Sequence, residues 1–436
     1  MKIKLQNIGI IEEADINIEG ITLIAGQNDS GKSTIGKVLY ALVRGVNIDE
    51  QLFNSSKNEY IRNKIRDIRN LLLRTKPSNP KDDDIQKEFI SEYIDNIGSH
   101  IGEFIVNIYS NKSDSNDLIK ELDAIDNLYS NFSNQSIKLQ LSTFINDITN
   151  RISISIDSKE VLHYELEAYF QNEFGSQIQN KFKKDNSAIS IEGAVEQKII
   201  FEEPITFEGF ESSSSFYYND VFFIESPMKL GNKNSIRFTN VHVLRDKNEY
   251  LNSKILQQKK DQDIFSDTTE NTEKLNSIIS DVIKGKFGFN SKNQLIFQKE
   301  DIEFDLNNVA TGIKSFGVLQ LLLQKGVLNS NSLLIIDEPE VHLHPTWQVK
   351  YAEILVRLSQ EFAIPIVLTS HSPYFIEALE AYCKKYQYED LTNFYFAEKN
   401  EDGLSSKIID VTKDITPILS SISDAFYKIQ DINNED

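Results

Sequence analysis

The chain has 436 residues, 26% charged and 40% hydrophobic, with a formal net charge of −20. That length builds two or three domains around a sizeable core. The charge excludes wholesale coating of nucleic acid but leaves room for a local basic groove. A lone cysteine, Cys383, excludes an intramolecular disulfide, fits a reducing compartment and reads as a small core residue. No signal-peptide pattern opens the chain, and no apolar run approaches the roughly 18 residues of a membrane span. The expectation is a cytoplasmic protein with no membrane partner.

Residues 1–25 read as short strands. Ile3 and Leu5 alternate with polar neighbours, as do Ala14, Ile16 and Ile18 before the turn at Glu19-Gly20. The apolar run 21–25 predicts a strand and 32–43 a helix. Helical patterning then dominates from about 50 to 184. Ile61, Ile65, Ile68 and Leu72 make an amphipathic stripe, Pro77 to Pro80 break it, and further helices are expected over 87–109, 116–130 and 159–183. From 187 the period becomes two, through Ile189, Ile191, Ile199 and Phe201, and 221–227 reads as a buried strand ended by its proline. The lysine-rich stretch 245–273 predicts surface helix and loop, and 287–304 a hairpin or meander turning at 290–293. A helix over 311–327, strands over 333–336 and 364–368, closing strands at 393–396 and 406–409, and a terminal helix from about 415 complete the chain. Alternation of helix and strand at this end predicts a parallel sheet with crossovers.

Chemistry concentrates at a few points. Gly26-Gln27-Asn28-Asp29-Ser30-Gly31-Lys32-Ser33-Thr34 follows a strand and opens a helix, the setting of a GxxxxGK[ST] phosphate loop. Backbone N–H groups and the helix N-terminus face the negative charge there. Lys32 is expected at the β- and γ-phosphates and Ser33 on Mg²⁺. The strand ending Asp337-Glu338-Pro339 delivers two acids where parallel strands place ligands. Asp337 is the expected Mg²⁺ ligand and Glu338 the general base for the attacking water. The strand 364–368 leads to Thr369, Ser370 and His371, a histidine placed to hydrogen-bond the phosphoryl oxygen and the water. Ala310-Thr311-Gly312-Ile313-Lys314 precedes a helix and forms either an anion site or a plain helix start. Arg62, Arg66 and Arg69, with Lys181, Lys183 and Lys184, form either a phosphate-backbone groove or solvated helix faces.

In this order the motifs resemble the ATP-binding-cassette (ABC) ATPase heads of the chromosome-maintenance, RecF and overcoming-lysogenization-defect (OLD) branch. The string Asp337-Glu338-Pro339-Glu340-Val341-His342-Leu343-His344-Pro345 is especially similar to OLD-type and related anti-phage ATPases, the Septu and PARIS defence ATPases among them. The likeness covers about the first 45 residues and 305–375. It implies an α/β P-loop head, a mixed or parallel sheet flanked by helices, with a large helical insertion. The implied layout is 1–48 and 305–436 as the two parts of the head, 49–186 as the insertion, and 187–304 as a mixed lobe returning to the head.

By that resemblance, Lys32 and Ser33 match the Walker A positions, Asp337 the Walker B aspartate, Glu338 the catalytic glutamate and His371 the switch histidine. Gly26, Asn28, Asp29, Ser30, Gly31 and Thr34 complete the nucleotide-binding loop. Thr311, Gly312 and Lys314 fall where the family has its signature, which contacts the nucleotide bound to the opposite protomer. ATP and Mg²⁺ are then the cofactors and a homodimer or higher homo-oligomer the active form. His342 and His344 fall in the family's dimer-contact segment, and Glu225, Ser226 and Pro227 are nearest to its glutamine loop. With no Toprim acidic triad and no HNH motif, any nuclease would be a partner. The implied function is ATP hydrolysis controlling a separately encoded effector, a nuclease or toxin, in anti-phage defence, with nucleic acid or a phage component as trigger. Alternatives are a RecF-like or chromosome-maintenance repair ATPase acting on DNA, a nucleotide-held scaffold with negligible turnover, and, less favoured, a transporter ATPase subunit.

Overall fold

In the computed structural model the first two runs, Lys2–Ile8 and Ile11–Asn17, pair antiparallel as β1 and β2, with Ile3, Leu5, Ala14 and Ile16 buried on alternate positions. The next run, Ile21–Gly26, is buried at every residue, as a strand covered on both faces must be. It forms β3. The structure describes residues 1–48, 159–175, 177–183, 186–193, 196–210, 216–225, 246–256 and 268–422, with positions 53, 63, 64, 66, 67, 143, 146 and 147.

Helix α1 (Lys32–Val46) follows β3, and α2 (Lys159–Phe174) precedes β4 (Ala188–Glu192), β5 (Gln197–Ile200), β6 (Thr206–Glu208) and β7 (Asp220–Ile224). Helices α3 (Lys247–Leu256) and α4 (Thr268–Ile283) lead to β8 (Lys286–Phe289), β9 (Leu295–Lys299) and β10 (Ile302–Asp305). Then come α5 (Thr311–Lys325), β11 (Ser332–Asp337), α6 (Pro345–Phe362), β12 (Ile366–Ser370), α7 (Pro373–Lys385), β13 (Thr392–Lys399) and β14 (Ser406–Asp410). Residues 416–422 are helical.

Eleven strands form one mixed sheet in the order β6-β5-β4-β1-β2-β14-β13-β3-β12-β11-β7. The half from β13 to β7 is parallel throughout, while β6, β5, β4, β1 and β2 pair antiparallel. Strands β10, β9 and β8 make a separate antiparallel meander. One apolar cluster packs α4, α5 and α6 with the meander and the parallel half of the sheet, and Phe316 meets Trp347 and Tyr351 edge-on between α5 and α6. Among the described residues, no helix is long and apolar enough to cross a membrane.

The chain divides into two compact units, Met1–Asn47 with Leu162–Asp436, and Ile48–Val161. Within the second unit the described positions after Ile48 are helical, and Lys64 pairs with Asp147 at 3.0 Å. Arg66 is exposed there; Arg62, Arg69 and the helices expected over 87–109 and 116–130 lie outside the described residues.

Three expectations are corrected. The helix expected over 159–183 stops at Phe174, because the chain turns at Gly175 and Gln179 then bridges to Ile8 at the edge of β1. Within the lysine-rich stretch α3 is not a surface helix, for it buries Tyr250, Leu251, Ile255, Leu256 and even Lys247, while 257–267 lie outside the described residues. Strand β12 runs two residues later than expected, to Ser370, which brings Thr369 and Ser370 into the sheet. Cys383 is buried and burial pushes its thiol up to about 11, the state of an inert core residue.

Candidate nucleotide site

Register decides where the motifs meet. Ala25 of β3 stands opposite Ser370 of β12, Thr369 opposite Asp337 of β11, and Gly26 opposite Ala397 of β13. The carboxyl ends of four parallel strands are therefore level, and the loops that leave them share one edge of the sheet. Ligands of open parallel sheets bind at that edge.

The phosphate loop is built to keep its backbone open. Gly31 has φ 84°, and a Cβ there would lie 2.8 Å from Ile11 Cγ1, so only glycine fits. Ser30 Oγ donates to Gln27 O at 2.7 Å, and Ser406 Oγ of β14 donates to Ser30 O at 2.8 Å, pinning the loop from inside. Asn28 and Asp29 are on its exposed rim, and Thr34 closes the first turn of α1 through its N–H to Gly31 O. Helix α1 starts with no side-chain cap and no acid in its first turn, so its N-terminal N–H groups are left to an anion. Lys32 is buried and donates to Gln27 O at 2.7 Å. Burial lowers the pKa of its ammonium, opposed by Glu338, Asp337 and Glu340. A buried cation held, among the described residues, by a carbonyl alone fits a site that receives phosphate.

Asp337 is the centre of the acidic side. Its Oδ1 accepts from Ser33 Oγ at 3.0 Å and from Thr369 Oγ1. This pairs hydroxyl and carboxylate oxygens, the hard donors Mg²⁺ takes when phosphates and water complete its shell. The residues present therefore fit Mg²⁺ and a nucleoside triphosphate. Glu338 follows with φ 50°, a left-handed conformation that costs about 1 kcal/mol or more outside glycine. Its N–H is shared between Thr369 O at 3.1 Å and Thr369 Oγ1 at 3.2 Å, which holds the strained turn in place. His371 Nδ1 lies 3.4 Å from Glu338 Oε1 and 3.3 Å from Glu340 Oε1, without the alignment of a hydrogen bond to either. Nδ1 is buried while 41% of the side chain is exposed, so the ring turns its other edge outward.

The structure thus brings Lys32, Ser33, Asp337, Glu338 and His371 together. Thr311, Gly312 and Lys314 are placed by a different contact, at the start of α5, whose N-cap Ala310 makes no side-chain bond. A Cβ on Gly312 would lie 2.9 Å from His342 O and 3.1 Å from Leu343 Cδ2. The glycine thus lets α5 close onto the segment after β11. His344 accepts from Thr346 N–H and caps α6. Glu225, one step past Ile224, which pairs with Ile336, is level with Asp337 and bonded to Lys247 at 2.6 Å; Ser226 and Pro227 lie outside the described residues. Lys183 is paired with Glu12 at 3.1 Å, Lys181 is exposed, and Lys184 lies outside the described residues.

Three contributors escape motif reading: Thr369, Ser370 and Glu340. The available signal was polarity in an otherwise apolar strand, since Thr369 and Ser370 are wholly buried and buried hydroxyls need partners.

A P-loop fold with a Walker A helix after β3 and an aspartate on the parallel strand β11, one strand further along the sheet beyond β12, defines the class, a nucleotide-binding ATPase head with a mixed sheet flanked by helices. The family model described as AAA ATPase domain matches residues 1–376, and the chain belongs to that family. No curated protein matches the chain. Among solved structures, the SMC head domain from Thermotoga maritima is similar at 11% identity over 94% of this chain and 98% of that one, with a TM-score of 0.37. The Smc head domain with a coiled coil and joint from Pyrococcus yayanosii is similar at 12% identity over 97% and 99%, with a TM-score of 0.36. The SmcHead bound to the C-winged helix domain of ScpA gives 10% identity over 96% and 98%, with a TM-score of 0.40.

Proposed function

We propose that the chain hydrolyses ATP at a site completed by the signature segment of a second copy, and that the resulting closed dimer controls an effector. The observation that carries hydrolysis is the convergence of Ser33, Asp337, Glu338 and His371 on one end of the parallel strands. The loop from Gly26 to Thr34 binds the triphosphate, with Asn28, Asp29, Ser30 and Gly31 contributing backbone and rim contacts. Lys32 leaves Gln27 O to meet phosphate. Ser33 and Asp337 would hold Mg²⁺, which when bound would neutralise charge on the phosphoryl oxygens. Glu338 takes the proton of the attacking water, and His371 orients that water and the phosphoryl oxygen.

Dimerisation is supported by the start of α5. Its uncapped N-terminus with Thr311, Gly312 and Lys314 makes an anion-facing surface that lies on its own protomer's 342–343 segment. The string 337–345, similar to that of anti-phage ATPases, supports a cytoplasmic role in defence with a separately encoded nuclease or toxin as effector.

The test is turnover and light scattering of the full chain with ATP and Mg²⁺. Glu338→Gln is expected to lose at least about 100-fold in kcat, to keep ATP binding and to accumulate as an ATP-dependent dimer. Lys32→Ala is expected to lose both binding and dimer. Parent-like turnover in Glu338→Gln would remove the general-base assignment, and ATP-driven dimerisation of Lys32→Ala would remove the composite site. Phage challenge of cells carrying the chain with its neighbouring open reading frame, parent against Glu338→Gln, tests the defence role; equal plaque counts would reject it.

A further inference from the structure

The turn after β11 holds a second glutamate that the roles above do not use. Glu340 is 5% exposed. Its Oε1 accepts from Ser370 Oγ and from the His371 N–H, both at 2.8 Å, and lies 3.3 Å from His371 Nδ1. Its Oε2 is buried with no partner among the described residues. A buried carboxylate with one oxygen unsatisfied is costly, and an apolar side chain would pack there at lower cost if stability alone mattered. Burial raises its pKa, opposed by the bonds from His371 and Ser370.

The bonds extend beyond the pair. Ser370 Oγ accepts from the Ser372 N–H at 3.1 Å while donating to Glu340, and Ser372 Oγ donates to Gln348 on α6 at 2.6 Å. The peptide that carries His371 is thus tied at both sides to the helix and the turn. Two carboxylates, Glu338 and Glu340, face the same ring nitrogen. Neither is aligned for a hydrogen bond in this structure, but a small rotation of the ring would let one accept from an Nδ1 proton, and the exposed edge of the ring would then carry Nε2 as its free nitrogen.

We propose that Glu340 is a positioning residue for His371: it fixes the backbone, ring orientation and tautomer in which the histidine meets the nucleotide. The inference rests on the role given to His371 above.

The test uses the full chain, steady-state ATP turnover, affinity for a fluorescent ATP analogue, and melting temperature. Glu340→Ala is expected to lower kcat about 10- to 100-fold, the range for removing a residue that orients a reacting group, with analogue affinity within about twofold of the parent. Glu340→Asp keeps the charge but withdraws the oxygens by one methylene, and about a 10-fold loss in kcat is expected from that displacement. Where the alanine variant does not fold, the aspartate variant decides. The double variant Glu340→Ala/His371→Ala, or Glu340→Asp/His371→Ala in that case, is expected to turn over at the rate of His371→Ala alone. A further loss in the double variant shows that Glu340 acts by another route and overturns the inference while the His371 assignment stands. Parent-like kcat in Glu340→Asp overturns it equally. Parent-like kcat in His371→Ala removes the histidine's role and this inference with it.

Discussion

Replacing Lys247 by methionine should destabilise the head far more than a lysine substitution ordinarily does. Lys247 Nζ is 2.9 Å from Glu173 Oε2 on α2 and 2.6 Å from Glu225 Oε1 at the end of β7, and lies 4.4 Å from the centre of the Phe223 ring. The lysine and Glu173 side chains are 9% and 3% exposed. Methionine keeps the length and the contact with Phe223 but leaves Glu173 as a buried charge without its cation. Breaking a buried pair from one side costs about 3–5 kcal/mol. In a domain this large each kcal/mol moves the melting temperature by about 2 °C, so the expected fall is about 6–10 °C at neutral pH. The pH dependence has a definite sign. Burial already raises the pKa of Glu173 in the parent, opposed by Lys247. Without the lysine the folded state holds that proton more tightly than the unfolded state does. Stability is then lost as pH rises from the ordinary carboxylate range through the raised folded value, and the penalty shrinks toward acid. Adding Glu173→Gln removes the orphaned charge and should restore at least about half of the loss. Differential scanning fluorimetry of parent, single and double variants at acid and neutral pH checks this. A fall of less than about 2 °C, or no rescue by glutamine, would show that the pair is not what holds α2, α3 and β7 together here.

Two other changes probe the site. Thr369→Val removes a donor to Asp337 and one acceptor of the Glu338 N–H. It should lower kcat about 10- to 100-fold and weaken the Mg²⁺ dependence of turnover, with nucleotide affinity in chelator unchanged; a Mg²⁺ titration reads it. Gly312→Ala puts a methyl 2.9 Å from His342 O and 3.1 Å from Leu343 Cδ2, forcing α5 and the segment after β11 apart. The expected cost is about 1–3 kcal/mol, seen as a lower melting temperature. Light scattering should also show a weaker ATP-dependent dimer in the Glu338→Gln background.

Much of the head was legible because its chemistry is local. A parallel strand covered on both faces must be a continuous apolar run, so β3, β11 and β12 announce themselves, and the glycine loop between β3 and α1 states its own function. The sheet's order was not legible. Nothing in the residues of β14 says that it lies between β13 and β2, because that depends on which edges remain open once the other strands have paired. Lysine content misled at α3 for a related reason. Lys247 looks like a surface residue until Glu173 and Glu225, from distant parts of the chain, meet it in the interior. Arg44 is a second case, buried on α1 with its guanidinium 3.7 Å over the Tyr250 ring and 3.8 Å from Asp220. Helix ends were missed where one residue decides them, as at Gly175.

The segment from Asp337 to Pro345 shows why a motif string is informative beyond its first two acids. Asp337 ties the sheet to Ser33 of the phosphate loop, and Glu338 is held in its strained turn by Thr369. Glu340 grips Ser370 and His371, the backbone at His342 and the Leu343 side chain receive Gly312 of α5, and His344 caps α6. Each contact needs a particular donor, acceptor or shape, and few substitutions in the segment leave all of them intact. Two left-handed residues outside glycine, Glu338 and His342, are part of the same arrangement. Strain of that kind persists only where surrounding bonds over-determine the backbone. A change at one position should therefore move several features together, loop geometry, histidine orientation and the packing of α5. Single-variant losses here cannot be assigned to one residue's chemistry. The cycle pairing Glu340 with His371 separates them, because it measures whether two losses share one cause.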